Sequence, residues 1–298
     1  MYNIFNDSIN TSGNYTTLGR ISKLLDLKQC NKIKNNIIGI HAFKFGSKVI
    51  NNNYNYILII GGTDINVDAK DSLRKNIINI AIIQSKYTVC FSEYIKEEII
   101  KITLVDSNKL KIIPQSVSYV KPDSFFLKSF IYKKYSINNY NKIYLVVGNI
   151  RKVKGPNFLD DIAKILYNQG IIILFIGRVI EKDFEIKLPF LRTESLKSKE
   201  IFACYEQADG LINISESEGM ASAILEAMIY KCPVYVRENK GNLSIVTDKE
   251  NGYVFKTSYE FLELINLDTK LIIKNAYDYV LKNHNSISEK QEYLKLIN

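Results

Sequence analysis

A chain of 298 residues exceeds a typical single domain and sets the expectation of two domains of about 150 residues each. Hydrophobic residues make up 46%, which excludes general disorder, and the longest apolar run, Ile171–Ile176, is far too short to span a bilayer. The formal charge of +9 is uneven: 19 Lys+Arg against 10 Asp+Glu over residues 1–139 leave +9, whereas 21 against 21 over residues 140–298 leave none.

Short apolar runs alternate with helical periods, the pattern of βα units around mainly parallel sheets. In the first half the strand candidates are Tyr2–Phe5, Ile37–His41, Tyr56–Ile60, Thr88–Phe91 and Leu110–Ile113, with helices over Thr17–Leu27, Asp71–Ser85 and Glu93–Ile102. No obvious second strand follows the first helix. Residues 118–140 hold a mixed helical stretch, Ser124–Tyr135, and then Asn138-Asn-Tyr-Asn141, and read as an interdomain connection. The alternation then restarts with strand Ile143–Val147, helix Asn157–Asn168, strand Ile171–Ile176, helix Ser195–Gln207, strand Leu211–Ile214, helix Ala221–Tyr230 and strand Val234–Arg237. A short turn over Gly252–Phe255 and helices Tyr259–Ile265, Thr269–Asn283 and Ser286–Ile297 close the chain. The expected domains are 1–139 and 140–298, the last helix being able to pack back on the first, and a ligand is expected in the cleft between them.

Cys30, Cys90, Cys204 and Cys232 form no CxxC pair, and only His41 and His284 could join them, so zinc-type spacing is absent and free, mostly buried thiols are expected. No clear Asp-x-Asp offers a divalent metal site, and the metal expectation is none. The segment Met1–Phe5 lacks the basic region and apolar core of a signal peptide, so the expected location is cytoplasmic. A basic first half steers toward anionic partners, although a Lys-, Asn- and Ile-heavy composition spread over solvated faces gives the same numbers. No nucleic-acid-binding motif accompanies the charge, and nucleic acid is not an expected partner.

The most informative stretch is Ser215-Glu-Ser-Glu-Gly-Met-Ala-Ser-Ala-Ile-Leu-Glu-Ala-Met228. Glu218 sits in a Gly-marked turn after the apolar run Gly210–Ile214, and Glu226, eight positions on, lies inside the amphipathic helix that follows. The carboxyl end of a strand is where open α/β sheets bind ligands. Free amides around Met220, Ala221 and Ser222 add an anion-binding helix start. Carboxylates for hydroxyls beside amides for phosphate point to a nucleotide-sugar site. Gly148-Asn-Ile-Arg-Lys-Val-Lys-Gly155 also joins a strand to a helix. Its cations Arg151, Lys152 and Lys154 could hold a diphosphate and stabilise it as a leaving group, or be ordinary solvated loop residues.

Three segments of the first half are candidates for a second subsite. In Ser12-Gly-Asn-Tyr-Thr-Thr-Leu-Gly-Arg20, Gly13 and Asn14 could approach a ligand or merely make the turn before a helix; a lone glycine is no dinucleotide fingerprint. Gly61-Gly-Thr-Asp64 follows a strand directly, so Gly62 allows close backbone approach while Thr63 and Asp64 can bind hydroxyls, unless the stretch is a plain Asx-capped turn. His41 ends the preceding strand and could share this rim or be structural.

Taken together, these segments resemble the retaining, two-domain GT-B glycosyltransferases of the family-4 group, and in finer pattern the glycosyltransferase 1 domain-containing proteins. Glu218-Gly-Met-Ala-Ser-Ala-Ile-Leu-Glu226 carries the likeness, joined by Ser12–Asn14, His41 with Lys44, Gly61–Asn66, Arg151–Lys154, Gly241-Asn242 and Gly252. The resemblance implies an α/β GT-B fold, two Rossmann-like domains facing a central cleft. It implies a hexosyltransferase that moves a sugar from a nucleoside-diphosphate sugar with retention, without metal or cofactor. Lys154 and Arg151 would neutralise the departing diphosphate. Glu218, with the amides of Gly219, Met220 and Ala221, would hold the sugar and its phosphate. Glu226 would accept from the ribose, and Asn149 would contact the donor. The acceptor, anionic or lipid-linked and in that case met at a membrane surface, would lie near Gly13, Asn14, His41, Gly62, Thr63 and Asp64. Two positions depart from the group: Asn149 stands where an Arg is usual, and Gly-Gly-Thr-Asp replaces a usual His. The alternatives are a degenerate GT-B protein that binds nucleotide or sugar without transfer, and a hydrolase or phosphorylase using two carboxylates.

Overall fold

The computed structural model describes residues 2–6, 13–181, 188–194 and 196–298, so Met1, Ser12 and the helix start expected at Ser195 lie outside the described residues. The chain divides into two compact units. The first comprises Met1–Ser116, the tripeptide Glu218–Met220 and Asn285–Asn298, and the second Val117–Ser217 and Ala221–His284.

In the first unit, strands β1 (Asn3–Phe5), β2 (Gln29–Cys30), β3 (Ile37–Ile40), β4 (Tyr56–Ile59), β5 (Tyr87–Cys90) and β6 (Leu110–Ile112) form one sheet in the order β2-β1-β3-β4-β5-β6. Every pairing is parallel. Parallel strands covered on both faces need continuous apolar runs, and β3 and β4 are buried at all four positions. The pleat sends alternate residues to opposite faces. Ile37, Tyr56 and Leu58 join one core with Phe45, Ile78 and Ile82. Ile38, Ile57 and Ile59 join the other with Leu18 and Ile21 of the helix Gly13–Leu25 and with Tyr293 and Leu296 of the final helix, Ser286–Ile297. That final helix belongs to the first unit.

In the second unit, β7 (Lys142–Val147), β8 (Ile171–Ile176), β9 (Phe190–Thr193), β10 (Gly210–Asn213), β11 (Val234–Arg237) and β12 (Tyr253–Phe255) form a second parallel sheet in the order β12-β11-β10-β7-β8-β9. Its core joins Tyr144, Ile173, Phe175, Ile212 and Tyr235 to Leu159, Leu166, Phe255 and Phe261. No helix among the described residues is long and apolar enough to cross a membrane.

The boundary between the units falls after Ser116, not at the expected 139/140. Val117 N donates to His284 O at 3.0 Å, and Val120 N to Tyr230 Oη at 2.9 Å. Leu127 N donates to Gln207 Oε1 at 3.0 Å, and Lys134 Nζ to Thr193 Oγ1 at 2.8 Å. The weak period and the Asn-rich run mark irregular chain, whereas packing decides membership.

Candidate active site

The second sheet reverses its strand order beside β7. The chain steps from β7 outward to β8 and β9, then returns to the other flank of β7 with β10, β11 and β12. Loops leaving neighbouring strands on opposite courses part there, and ligands of open α/β sheets bind at such a point, outside the carboxyl ends. A pocket occupies it, lined by Gly148, Asn149, Lys154, Asn213, Ser215 and Ala223, among others.

Local geometry explains how its walls hold. Gly148 lies at φ 138°, and a Cβ on Gly177 would fall 2.0 Å from Gly148 O, so backbone meets backbone with no room for side chains. Asn149 Oδ1 accepts from Arg178 N at 3.3 Å. Lys152–Lys154 make one 3-10 turn that ends at Gly155, φ 59°, where a Cβ would meet Ile214 O at 2.6 Å. Glu216 N donates to Val153 O at 2.9 Å, so the loop after β7 is tied to the loop after β10. Arg151 Nε is buried with no hydrogen-bond partner among the described residues. Three asparagines brace the opposite wall. Ser215 N donates to Asn213 Oδ1 at 3.1 Å, Asn239 Nδ2 donates to Ser215 O at 3.0 Å, and Asn242 Nδ2 reaches Asn213 Oδ1 at 3.4 Å.

The helix Ser222–Ile229 begins at Ala221, which supplies no side-chain cap, so its first amides are not spent on one. Glu226 lies on this helix, partly exposed, and accepts from Tyr205 Oη at 3.4 Å. Tyr205 stacks on Tyr230, and Tyr230 on Phe202. Burial pushes the Glu226 carboxyl up to about 7, and the Tyr205 hydroxyl partly opposes that rise.

In the first unit the predicted acceptor-side residues His41, Gly62, Thr63 and Asp64 lie just past the carboxyl ends of β3 and β4, and Gly13 and Asn14 on the helix Gly13–Leu25, but not in the roles expected of all of them. Asp64 is sealed, with no exposed surface. Its carboxylate accepts from Ala42 N at 2.8 Å, Gly61 N at 3.0 Å and Ile65 N at 3.2 Å, which turns the expected loop into a helical turn, Thr63–Asn66. It is a brace, not a hydroxyl-binding contact. His41 is 2% exposed and strained at φ 81°. Its Nδ1 accepts from Lys44 N at 3.3 Å, so in the neutral ring Nε2 carries the proton toward Thr63 Oγ1 at 3.2 Å and Asp68 Oδ2 at 3.5 Å. Arg74 holds the same Asp68 at 2.6 Å. The ring therefore orients Thr63 from inside, and the expected rim position for His41 gives way to this network. Gly13 is exposed, and a Cβ on Gly61 would lie 3.0 Å from Asn14 Oδ1, so Asn14, Gly61 and Thr63 share one rim.

Gly62 is buried at φ 96°, and its Cβ would come within 2.8 Å of Gly219 Cα. The tripeptide that holds Gly219 is gripped on both sides: Asn66 Nδ2 donates to Glu218 O at 3.0 Å and Gln115 Nε2 to Met220 O at 3.2 Å. Sequence reasoning assigned nothing to Gln115, Tyr205, Asn213 or Asn239, and quoted Asn66 only as the end of a motif. The four cysteines carry free thiols, three of them buried, with Cys90 and Cys204 pushed up to about 12 by burial.

Residues 128–276 match the family described as glycosyl transferases group 1. The chain belongs to that family. Among its relatives, this group 1 glycosyl transferase is 28% identical over 281 residues to glycosyltransferase 1 domain-containing protein 1 of Xenopus tropicalis, covering 87% of this chain and 80% of that one. Anabaena HepE in complex with UDP-glucose superposes with a TM-score of 0.77 at 13% identity, over 99% of this chain and 98% of the other. WaaG, a glycosyltransferase involved in lipopolysaccharide biosynthesis, gives 0.75 at 12% identity over the whole of both chains. At such identities the likeness is one of fold, and the fold of this group 1 glycosyl transferase is GT-B, with a six-stranded parallel sheet in each unit.

Proposed function

We propose that this glycosyltransferase moves a sugar from a nucleoside-diphosphate sugar to a hydroxyl acceptor with retention of anomeric configuration and without a metal. The observation that carries the reading is the crevice beside β7, where the Gly148 turn, Lys154 and the uncapped start of the helix Ser222–Ile229 converge. Backbone room, a cation and helix amides are what a diphosphate requires. The fold shared with HepE, whose structure holds UDP-glucose, supports a donor of that class.

In this reading Lys154 and Arg151 take up the charge that develops on the departing diphosphate, the place a metal ion would otherwise fill. Asn149 lines the donor pocket, and Glu226 as carboxylate accepts from the ribose hydroxyls. Glu218, with the amides of Gly219, Met220 and Ala221, holds the transferred sugar. The acceptor binds on the first unit at Gly13, Asn14 and Thr63, while His41, Gly62 and Asp64 keep that loop in shape. The acceptor oxygen bonds to the anomeric carbon as the bond from that carbon to the β-phosphate oxygen breaks. The hydroxyl proton passes to the leaving phosphate on the same face, so no covalent carboxylate intermediate is needed. The +9 of residues 1–139 suits an anionic or lipid-linked acceptor.

The test is nucleoside-diphosphate release from UDP-, GDP- and ADP-glucose with and without an acceptor panel, the product anomer being read by NMR. Release that depends on acceptor, with an α product from an α donor, is expected. Release at the same rate without acceptor is hydrolysis and contradicts the proposal.

A further inference from the structure

We infer that Asn66 is a positioning residue of the transfer site, one that sets the peptide plane between Glu218 and Gly219; this rests on the sugar-holding role given above to Glu218 and the Gly219 amide. A carbonyl oxygen only accepts, so the Asn66 atom 3.0 Å from Glu218 O is its amide nitrogen, and the side chain has one orientation. Its Oδ1 is taken by Tyr94 Oη at 2.9 Å, which fixes that orientation from behind. Gln115 grips the next carbonyl but one, Met220 O, at 3.2 Å. Between the two, Gly219 rests on Gly62 with no space for a Cβ on either residue.

These restraints come from three separate elements: the helical turn Thr63–Asn66, the helix Glu93–Ile102 and the segment after β6. The consequence follows from peptide geometry. In a planar trans peptide the N–H points opposite to the C=O, so a bond from Asn66 to Glu218 O aims the Gly219 N–H away from Asn66. Glycine has the widest backbone freedom of any residue, and without the bond this plane can rotate about the line joining the two Cα atoms, swinging the Gly219 N–H off its target. Asn66 and Tyr94 need not touch a ligand. They act through the backbone of the residue that does, and on the sugar end of the donor in particular.

A purely structural role would weaken all ligands alike, whereas this one discriminates between them. The probes are UDP, GDP and ADP and their glucose forms, titrated against the unfolding midpoint of the parent and of Asn66→Ala, Asn66→Asp and Tyr94→Phe. Asn66→Asp keeps the shape but sets a carboxylate oxygen against a carbonyl. For the nucleotide that binds, its glucose form is expected to lose about tenfold in affinity in both Asn66 variants, as befits one hydrogen bond, while the bare diphosphate stays within about twofold. Tyr94→Phe moves the same ratio the same way by about two- to threefold, and carries the test alone where the Asn66 variants do not fold. Hydrogen exchange read by mass spectrometry is expected to quicken in peptides spanning Glu218–Met220. Equal losses for the diphosphate and its glucose form, or no loss in any variant, overturn the role. So does unchanged exchange at Gly219 alongside normal nucleotide-sugar binding. A parent that binds none of the six probes overturns the transfer reading, and this role with it, even where exchange quickens.

Discussion

At Lys154, removing one charge separates chemistry from folding. The residue ends a single 3-10 turn and is only partly buried, outside the hydrophobic core of its unit. Lys154→Ala is expected to lower kcat by about 10²–10³, the usual cost of losing one group aimed at developing charge, with an unfolding midpoint close to the parent's. Activity within a few-fold of the parent would refute that role. Glu226 makes a prediction about pH. Its folded pKa of about 7 lies above the ordinary 4.5, so the native state binds more protons than the unfolded one between those values. Stability conferred by Glu226 is therefore complete below about pH 4.5, falls as pH rises toward 7 and is flat above it, by no more than about 3 kcal/mol because the side chain keeps some solvent access. Glu226→Gln abolishes the fall. The ribose contact needs the carboxylate, so nucleotide-sugar binding strengthens as pH rises through 7 in the parent and stays level in Glu226→Gln. Calorimetric titrations at pH 5.5 and 8 check both slopes, and a parent that binds equally at both pH values contradicts the assignment.

At the scale of elements, the turn Gly61–Asn66 shows how much a local segment owes to its neighbours. Ala at Gly62 would combine a strained φ with a Cβ 2.8 Å from Gly219 Cα. A loss of about 1–3 kcal/mol is expected from urea unfolding, and a change under about 0.5 kcal/mol would deny the close approach. Long periodic elements were legible in the sequence: the bounds read for Glu93–Ile102 and Ser286–Ile297 are those of the structure. Strand β2 was missed because two residues carry no period, and β9 because Phe190–Thr193 is short and includes the half-exposed Arg192. The first helix already includes Gly13 and Asn14, ahead of the expected start at Thr17, because Gly and Asn are local turn signals. Asp64 reads in the sequence as a hydroxyl-binding candidate or an Asx cap, because nothing local reveals that its carboxylate also collects the amide of Ala42, 22 residues away, beside those of Gly61 and Ile65. The paired glutamates and the Lys154 loop stood out by charge and spacing. The grip on Glu218–Met220 did not, being made by neutral amides 152 and 105 residues away, and no window on the sequence brings those together.

At the scale of the whole molecule, the first unit is closed by the chain's final helix. Glu289 is 2% exposed, accepts from the Arg20 guanidinium and takes Ser116 N at 3.0 Å, joining the helices Gly13–Leu25 and Ser286–Ile297 to the last residue of the segment after β6. Glu289→Ala leaves Arg20 without its carboxylate and is expected to cost about 3 kcal/mol in urea unfolding, near the lower end for a broken buried pair because Arg20 keeps some solvent. A cost below about 1 kcal/mol would show that the final helix is held by apolar packing alone. The central claim is that the crevice beside β7 is a donor site, and the most direct measurement is the thermal unfolding midpoint with UDP-, GDP- and ADP-sugars, without added metal. The account predicts that one nucleotide series raises the midpoint in a concentration-dependent way, and that Glu226→Ala loses the shift. A folded protein whose midpoint no nucleotide sugar moves would contradict it.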